Sequence, residues 1–443
     1  MPGVPEPVFR HGNSVIPIPP KSTEARSHQD TKHVLNFAPL CLRVFVLKHR
    51  LILVALLIPI LTACLGGTTP AATPPPSPGP TPTPLPLPEA PQGIYHPTLD
   101  DPYFKTPEYG IQVFTWWNLE NGARDLDLVK DMGFGWVKQI FAWRDMEQIE
   151  KGHYDWYRPD IIVDAVHGRN LKLLVRLDHQ PFWAQEDGGA VPLESAPPKN
   201  YQDFGDFCHA LAERYKGRIG AYQIWNEPNL SREWGDKPPS PAEYVQLLAA
   251  CYVGIKTADP EAVVISAGLA PTGTDDETAM PDDKFVRGMY EAGGAEYFDV
   301  LGVHAAGYMN PPERSPADVE ADPALGYRFL TFRHVEDIRQ IMIDYGDENK
   351  QMAVLEMGWT TDNVDPNYAW YAVTEEQQAE YLVGAYRWAK EHWGPWMGLM
   401  TTIYMADPDW TEKNEQYWFA VNRPSFPIPD LRPAYYALKE MDK

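Results

Sequence analysis

Apolar runs rich in β-branched and aromatic residues alternate with amphipathic stretches of helical period over residues 93–443. Eight of these runs have the composition of strands: 109–117, 136–143, 171–179, 221–227, 262–270, 298–307, 351–359 and 398–407. Helix candidates lie between them, such as 202–216, 242–257, 332–345 and 375–391. Strands that alternate with helices form a parallel sheet, and eight such units in a row favour closure into a barrel. We therefore predict one α/β domain over residues 93–443, a (β/α)8 TIM barrel, with a doubly wound open sheet as the alternative.

The segment before the barrel contains a short apolar run that follows a basic trio at 48–50. This run, LILVALLIPILTACL at 51–65, is too short for an ordinary membrane span and has the form of the apolar core of a secretory signal. It ends in Leu-Thr-Ala-Cys, which resembles the bacterial lipoprotein signal. The resemblance implies a signal peptide over 48–64, lipidation of Cys64 and a protein anchored outside a bacterial membrane. An ordinary secretory signal or a short uncleaved anchor is the alternative. We expect residues 1–47 to be disordered and to reflect a start codon assigned too early.

Residues 65–92 are dominated by proline and threonine. A segment of this composition buries too little apolar surface to form a core and favours extended polyproline II. We expect it to act as a linker that holds the barrel away from the membrane.

The charge balance excludes one class of partner. The chain carries 38 Lys and Arg against 61 Asp and Glu, a formal net charge of −23. Because such a surface repels phosphate backbones, we expect no binding to nucleic acid.

The four cysteines form no metal-binding motif, and the sequence contains neither CxxC nor HExxH. Cys208 and Cys251 lie on the apolar faces of the two predicted helices that flank the fourth strand. The pattern favours buried thiols over a disulfide between neighbouring helices.

Polar and aromatic side chains collect where the predicted strands end. They are Trp116, Trp117, Trp143, Arg144, Asp178, His179, Asn226, Glu227, His304, Tyr308, Glu356, Trp359, Tyr404 and Asp407. The C-terminal ends of the strands of such a barrel share one face, where reactive groups gather. Two carboxylates, Glu227 and Glu356, end the fourth and seventh strands, and we expect them to face each other across the mouth. A pair of carboxyl groups about 5–5.5 Å apart is the arrangement required for glycoside hydrolysis with retention of configuration.

The stretch IWNEPNL places Glu227 between Asn226 and Pro228. Proline disfavours the helical region for the residue before it, so we expect an extended Glu227 whose carboxylate is aimed into the mouth. The amide of Asn226 can hydrogen-bond a sugar hydroxyl next to the reacting carbon.

Asn226-Glu227-Pro228 on the fourth strand, together with Glu356 on the seventh, resembles clan A of the glycoside hydrolases, including its cellulase/mannanase-like and β-xylosidase-like families. The stretch FAWRDMEQIEKGHYDW at 141–156 resembles a segment after the second strand in those families. The resemblance implies that Glu227 is the acid/base and Glu356 the nucleophile, and that Asn226 binds the sugar 2-hydroxyl. It further implies a sugar-site role for His179, and it matches His304 and Tyr308 to a pair that positions the nucleophile, with Tyr308 bonded to Glu356. The chain departs from the pattern at the eighth strand, where Tyr404 occupies the place of a substrate-binding tryptophan.

Four more residues are candidates for sugar contact: Trp183, Trp359, Trp116 and Arg144. Trp183 and Trp359 lead, because each follows a strand end on the face of the mouth.

The resulting hypothesis is a retaining β-glycosidase that acts on a plant or microbial poly- or oligosaccharide, with Glu356 ionised and Glu227 protonated in the free protein. We expect it to need no metal or organic cofactor, to be a monomer and to contact the membrane through its lipid anchor. A non-catalytic carbohydrate-binding lipoprotein and a cell-envelope transglycosylase are the alternatives.

Overall fold

The computed structural model describes residues 86–105, 107–186 and 195–443. Eight parallel strands form a closed barrel in the order β1 to β8, and β1 pairs with both β2 and β8. The strands are β1 Glu108–Gln112, β2 Trp136–Ala142, β3 Lys172–Asp178, β4 Ala221–Ile224, β5 Val263–Ile265, β6 Val300–Ala306, β7 Gln351–Gly358 and β8 Met397–Thr402. The barrel that the alternating pattern predicted is confirmed, and the open sheet is excluded.

Helices follow the strands and pack around them. They are α1 Leu119–Asp131, α2 Trp143–Met146, α3 Tyr157–His167, α4 Tyr201–Arg214, α5 Pro241–Ala258, α6 Asp282–Glu291, α7 Pro316–Ala321, α8 Val335–Asp344, α9 Glu375–His392, α10 Glu415–Phe419 and α11 Pro433–Glu440. A small antiparallel pair, β9 Asn422–Arg423 and β10 Asp430–Leu431, precedes α11. The larger apolar core lies between the barrel and its helices. Over the part of the chain described, no helix combines the length and the apolar composition needed to cross a bilayer.

The interior of the barrel changes from apolar at the floor to charged near the mouth. The floor cluster consists of Phe104, Trp136, Leu174, Ala221, Val263, Ile265, Val300, Ala353, Leu355 and Leu399. Because side chains alternate along a strand, Lys138 follows Trp136 on the inner face of β2, and Arg176 follows Leu174 on the inner face of β3. Both cations are buried, so charge is available inside the barrel above an apolar base.

The segment before β1 closes the floor. Phe104 inserts into the floor cluster, and its backbone exchanges two hydrogen bonds with the Gln351 side chain, at 3.2 and 3.1 Å. The Tyr103 hydroxyl donates to the carbonyl of Gly220 at 2.7 Å. This stretch is therefore part of the packed domain rather than a leader to it.

Cys208 and Cys251 form a disulfide between α4 and α5, with their Cα atoms 5.3 Å apart. The sequence-based preference for buried thiols was wrong. The two helices approach closely because Gly205 and Gly254 face each other: a Cβ added to Gly254 would lie 2.3 Å from the carbonyl oxygen of Gly205. This backbone contact brings the cysteines within bonding distance.

The proposed signal peptide and its lipidation site, Cys64, lie outside the described residues, as do residues 1–47 and most of the linker.

Candidate active site

Glu227 and Glu356 meet inside the mouth of the barrel. Their side chains are buried, with residue exposures of 3% and 5%. One carboxylate oxygen of each and one ring nitrogen of His304 all lie within 4.8 Å of one another. The expectation that the two carboxylates face each other is confirmed.

A β-bulge aims Glu356 into the barrel. The pairing of β6 with β7 shifts by one residue after Val303, so that His304 is the register partner of Glu356. Leu355 belongs to the floor cluster and Met357 to the outer core, although strict alternation would place both on the same face. The extra residue lets Leu355 and Glu356 both point inward, which is a known use of bulges beside active sites.

The backbone of Glu227 differs from the expectation. Its φ is +41°, in the left-handed region, rather than extended. Its N–H donates to the carbonyl of Gly268 at 3.0 Å, and its carbonyl accepts from the N–H of Leu230 at 2.9 Å. These two bonds hold a tight turn in a conformation that Pro228 does not dictate.

Three residues at or beside the site share this unusual backbone. Trp225, His179 and Tyr308 have φ values of +71°, +56° and +51°. Left-handed backbone at non-glycine residues costs about 1–3 kcal/mol each and concentrates at functional sites.

Two buried cations surround Glu356. Lys138 Nζ lies 2.9 Å from Oε1 of Glu356 and also donates to the carbonyl of Leu355 at 3.1 Å. Arg176 Nη1 lies 3.8 Å from the same carboxylate oxygen. Burial raises the pKa of Glu356, but the nearby charges, that of Lys138 foremost, outweigh burial and lower this pKa to about 2. Glu356 is therefore ionised at neutral pH, as a nucleophile must be.

Glu227 has different partners. His304 Nδ1 lies 2.9 Å from Oε1, and Arg232 Nη2 lies 3.6 Å from Oε2. Burial raises the pKa of Glu227, whereas the hydrogen bond with His304 and the charges around it act in the opposite direction and leave this pKa below its ordinary value. The lowered pKa favours an ionised Glu227, whereas a protonated Glu227 was expected, and the close partner of His304 is Glu227 at 2.9 Å, with Glu356 at 3.9 Å.

Most of the polar residues expected at the mouth are found there. The side-chain oxygen of Asn226 is buried without a hydrogen-bond partner among the described residues, as is Nε2 of His304. His179 contacts the carboxylate of Asp178, whose other oxygen lies 2.6 Å from Nε of Arg176. His179 is thus connected to Glu356 through Asp178 and Arg176.

Two of the expected contacts have other partners. The Tyr308 hydroxyl donates to the carbonyl of Pro271 at 3.2 Å, whereas a bond to Glu356 was expected. Arg144 lies 3.7 Å from Asp145 with little exposure of its side chain, and its backbone N–H donates to the carbonyl of His179 at 2.8 Å.

The tryptophans are placed differently from the expectation. Trp359 is 0% exposed in the outer core, and its indole N–H donates to the carbonyl of Asn310, so its assignment as a sugar contact was wrong. Trp116 is likewise a core residue, packed edge-on against Phe141. Trp183 is partly buried and donates to the carbonyl of Glu147. Strand-end position alone could not separate rings that face the mouth from rings that face the helices.

Sequence reasoning missed several residues of the site: Lys138, Arg176, Arg232, Tyr404 as a buried hydroxyl, and Glu415. The signal for the first two was available, because each is a charged residue at an inward position of an apolar strand.

Glu415 lies on α10 and accepts from the Tyr368 hydroxyl at 2.9 Å. Its other oxygen and the Tyr404 hydroxyl have no hydrogen-bond partner in the described ranges. Burial raises the pKa of Glu415 to about 8.

Glu227, His304 and Glu356 also have the donor types of a metal site, and theirs is the one such group found among the described residues. However, Lys138 already lies at hydrogen-bonding distance from Glu356, and Arg176 lies close behind. Since these cations compensate the carboxylate, a metal ion at the same position would meet strong repulsion.

A closed barrel with two carboxylates at the ends of strands four and seven defines a structural class. In fold, the chain is similar to glycoside hydrolases of known structure, and its Asn-Glu-Pro and Glu356 motifs resemble those of clan A.

Three solved structures illustrate this likeness of fold. A family 39 glycoside hydrolase from Bacteroides cellulosilyticus superimposes with a TM-score of 0.57 at 19% identity, over 75% of this chain and 62% of that one. A GH5_18 protein from Streptomyces cattleya superimposes with a TM-score of 0.53 at 16% identity, over 76% of this chain and 80% of that one. A β-glucosidase from Thermotoga maritima superimposes with a TM-score of 0.51 at 11% identity, over 76% of this chain and 98% of that one.

In sequence, a β-xylosidase from Geobacillus stearothermophilus is 27% identical over 137 residues, which is 29% of this chain and 26% of that protein. The match thus spans about a quarter of that relative's length. No model of a known protein family matches the chain.

Proposed function

We propose that this protein is a retaining β-glycosidase that hydrolyses an oligo- or polysaccharide by double displacement. The observation that supports the proposal most strongly is the separation of the two carboxylates, whose facing oxygens lie within 4.8 Å. Retaining enzymes have carboxyl groups about 5–5.5 Å apart, whereas inverting enzymes need about 6.5–9.5 Å to admit a water molecule.

In the first step, Glu356 attacks the anomeric carbon and the bond to the leaving oxygen breaks. Glu227 donates a proton to that oxygen, so the leaving group departs as a neutral alcohol. The proton must be on Glu227 at this moment, although its pKa is lowered in the free protein. A sugar that fills the pocket displaces water from Glu227 and strengthens the effect of burial, which raises the pKa.

In the second step, Glu227 acts as a base. It removes a proton from water, whose oxygen attacks the anomeric carbon and displaces Glu356 from the glycosyl ester. The cations Lys138 and Arg176 stabilise Glu356 as a leaving carboxylate. Asn226, with an unpartnered amide oxygen, is placed to bind the sugar next to the reacting carbon.

A fluorosugar tests the nucleophile directly. Incubation with 2-deoxy-2-fluoro glycosyl fluorides should attach one sugar to the protein, and mass spectrometry of peptides should place it on Glu356. Glu356→Gln should take up no label, while Glu336→Gln on α8, which pairs with Arg333 away from the mouth, should be labelled like the wild type. NMR of the first-formed sugar should show the β anomer. Label on another residue, or an inverted product, would refute the mechanism.

We also propose that the protein is exported and lipidated at Cys64. The Cys208–Cys251 disulfide supports an oxidising compartment, because structural disulfides are rare in the bacterial cytosol. Cys64→Ser should abolish incorporation of labelled palmitate during expression in a bacterial host, and unchanged incorporation would contradict the assignment.

A further inference from the structure

Trp370, in the loop between β7 and α9, is unusually exposed for a tryptophan that is held in place. Its exposure is 48%. Its indole N–H donates to the carbonyl of Asn367 at 3.0 Å, which fixes the edge of the ring. One face lies over Tyr308, with ring centroids 6.2 Å apart and an angle of 27° between the planes, and Tyr371 packs edge-on at 4.7 Å. The ring is therefore a rigid platform with one supported side and one side open to solvent.

The platform lies beside the acid/base candidate. Tyr308, which supports the ring, follows β6 four residues after His304, the hydrogen-bond partner of Glu227. The Tyr308 hydroxyl donates to the carbonyl of Pro271 at 3.2 Å, three residues after Gly268, whose carbonyl accepts from the N–H of Glu227 at 3.0 Å. The cations that hold Glu356, in contrast, come from β2 and β3. Trp370 is therefore on the Glu227 side of the pocket, where the leaving group must be protonated.

An exposed, pre-ordered indole is well suited to one ligand chemistry. The C–H-rich face of a pyranose ring is apolar and flat enough to stack on an indole, and the rigid ring loses little conformational entropy on binding. Among the described residues, no cationic side chain lies over the Trp370 ring, whereas Arg158 lies over the ring of Trp117.

We propose that the open face of Trp370 forms a leaving-group subsite that stacks on a sugar ring, so that the natural substrate carries a carbohydrate on both sides of the bond that is cut. This inference rests on the proposed glycosidase function and names the substrate class of the same pocket. A glycoside with a small leaving group would react without using this surface.

Two substrates with the same glycone separate the subsite from the chemistry. A β-glycosyl fluoride has a leaving group too small to reach Trp370, whereas the matching β-linked disaccharide or trisaccharide places a sugar there. Trp370→Ala should leave kcat/KM for the fluoride within about twofold of wild type. It should lower kcat/KM for the oligosaccharide by about tenfold, the effect of one aromatic contact. Trp370→Phe should retain part of the activity, and Tyr436→Ala, which removes an exposed ring from α11, should change neither substrate.

A second measurement tests whether Trp370 lies on the leaving-group side of the pocket or on the side of the donor sugar. With the fluoride as donor, an added sugar acceptor should be glycosylated by the wild type, and Trp370→Ala should raise the KM of the acceptor about tenfold while leaving that of the donor unchanged. Equal losses on fluoride and oligosaccharide, a raised KM for the donor, or an unchanged oligosaccharide rate would each overturn the subsite. A wild type inactive on every substrate would instead refute the glycosidase function itself, so the two failures are distinguishable.

Discussion

Replacing Lys138 by methionine tests whether a buried lysine sets the ionisation of the proposed nucleophile. Methionine keeps the length and apolar character of the lysine stem and removes the charge that lies 2.9 Å from Glu356. Lys138 is fully buried on the inner face of β2, so water does not replace it easily. The expected primary effect is therefore on the pKa of Glu356, not on the shape of the barrel.

The magnitude follows from the pKa of Glu356, which the surrounding charges lower from 4.5 to about 2. At about 1.4 kcal/mol per unit, this corresponds to roughly 3 kcal/mol in favour of the carboxylate, of which Lys138 supplies the largest attractive share. Without Lys138, burial of Glu356 acts against a smaller attraction. We expect the pKa of Glu356 in K138M to rise by about 2 units or more.

The effect on stability has an opposing component. Because the pKa of Glu356 is lowered on folding, its contribution is complete above about pH 4.5 and is lost as pH falls toward 2. Burial also lowers the pKa of Lys138 from 10.5 to about 8, so the lysine itself costs free energy, in full below about pH 8 and progressively less as pH rises toward 10.5. Removing Lys138 weakens the contribution of Glu356 and abolishes the cost of the buried lysine, so the melting temperature at pH 7 should change less than the Glu356 shift alone implies.

The assay is the pH dependence of kcat/KM on an activated aryl β-glycoside between pH 3 and 8. Wild type should show no ionisation of Glu356 in this range, whereas K138M should lose activity on the acid side with an apparent pKa at or above about 4.5. K138R retains the charge and should follow the wild type. Lys256→Met removes another buried lysine, paired with Asp299 at 2.8 Å away from the mouth, and should leave the acid limb unchanged. A folded, active K138M whose kcat/KM falls at acid pH no earlier than that of the wild type would refute the role of Lys138 in setting the pKa of Glu356.

Two further predictions concern the support of the site. Cys208→Ser should lower the free energy of unfolding by about 4 kcal/mol, since the disulfide closes a loop of 43 residues. In a denaturant titration, a variant that matches the reduced wild type would confirm the cause, and an unchanged midpoint would contradict it. Gly268→Ala should displace His304, because the added Cβ would lie 2.2 Å from its Nε2, and should reduce kcat/KM at least tenfold with secondary structure intact by circular dichroism. Full activity would show that His304 can move without consequence.

The strands and the two carboxylates were predictable because each depends on local sequence. Apolar runs rich in β-branched and aromatic residues, separated by helical stretches, located all eight strands, and Glu227 and Glu356 lie in recognisable motifs. The bulge that turns Glu356 inward was not predictable, because it arises from the register between β6 and β7.

What sequence reasoning missed depends on contacts between distant segments. The direction of the Trp359 ring is set by packing against α9 and the loop before α8. The Cys208–Cys251 disulfide forms because two helices approach each other closely. The role of His304 toward Glu227 required the distance itself. Lys138 and Arg176 are the exception, because a charged residue on the inward face of a strand is visible in the alternation alone.

The insertion of Phe104 into the barrel floor bears on how the barrel domain can be produced and attached. A truncation that begins at β1 would remove this ring and open the apolar base to water, so an expression boundary upstream of Tyr103 should give the more soluble protein. Since this stretch joins the body at the end opposite the mouth, a resin or fusion partner coupled there leaves the entrance unobstructed to long polymers.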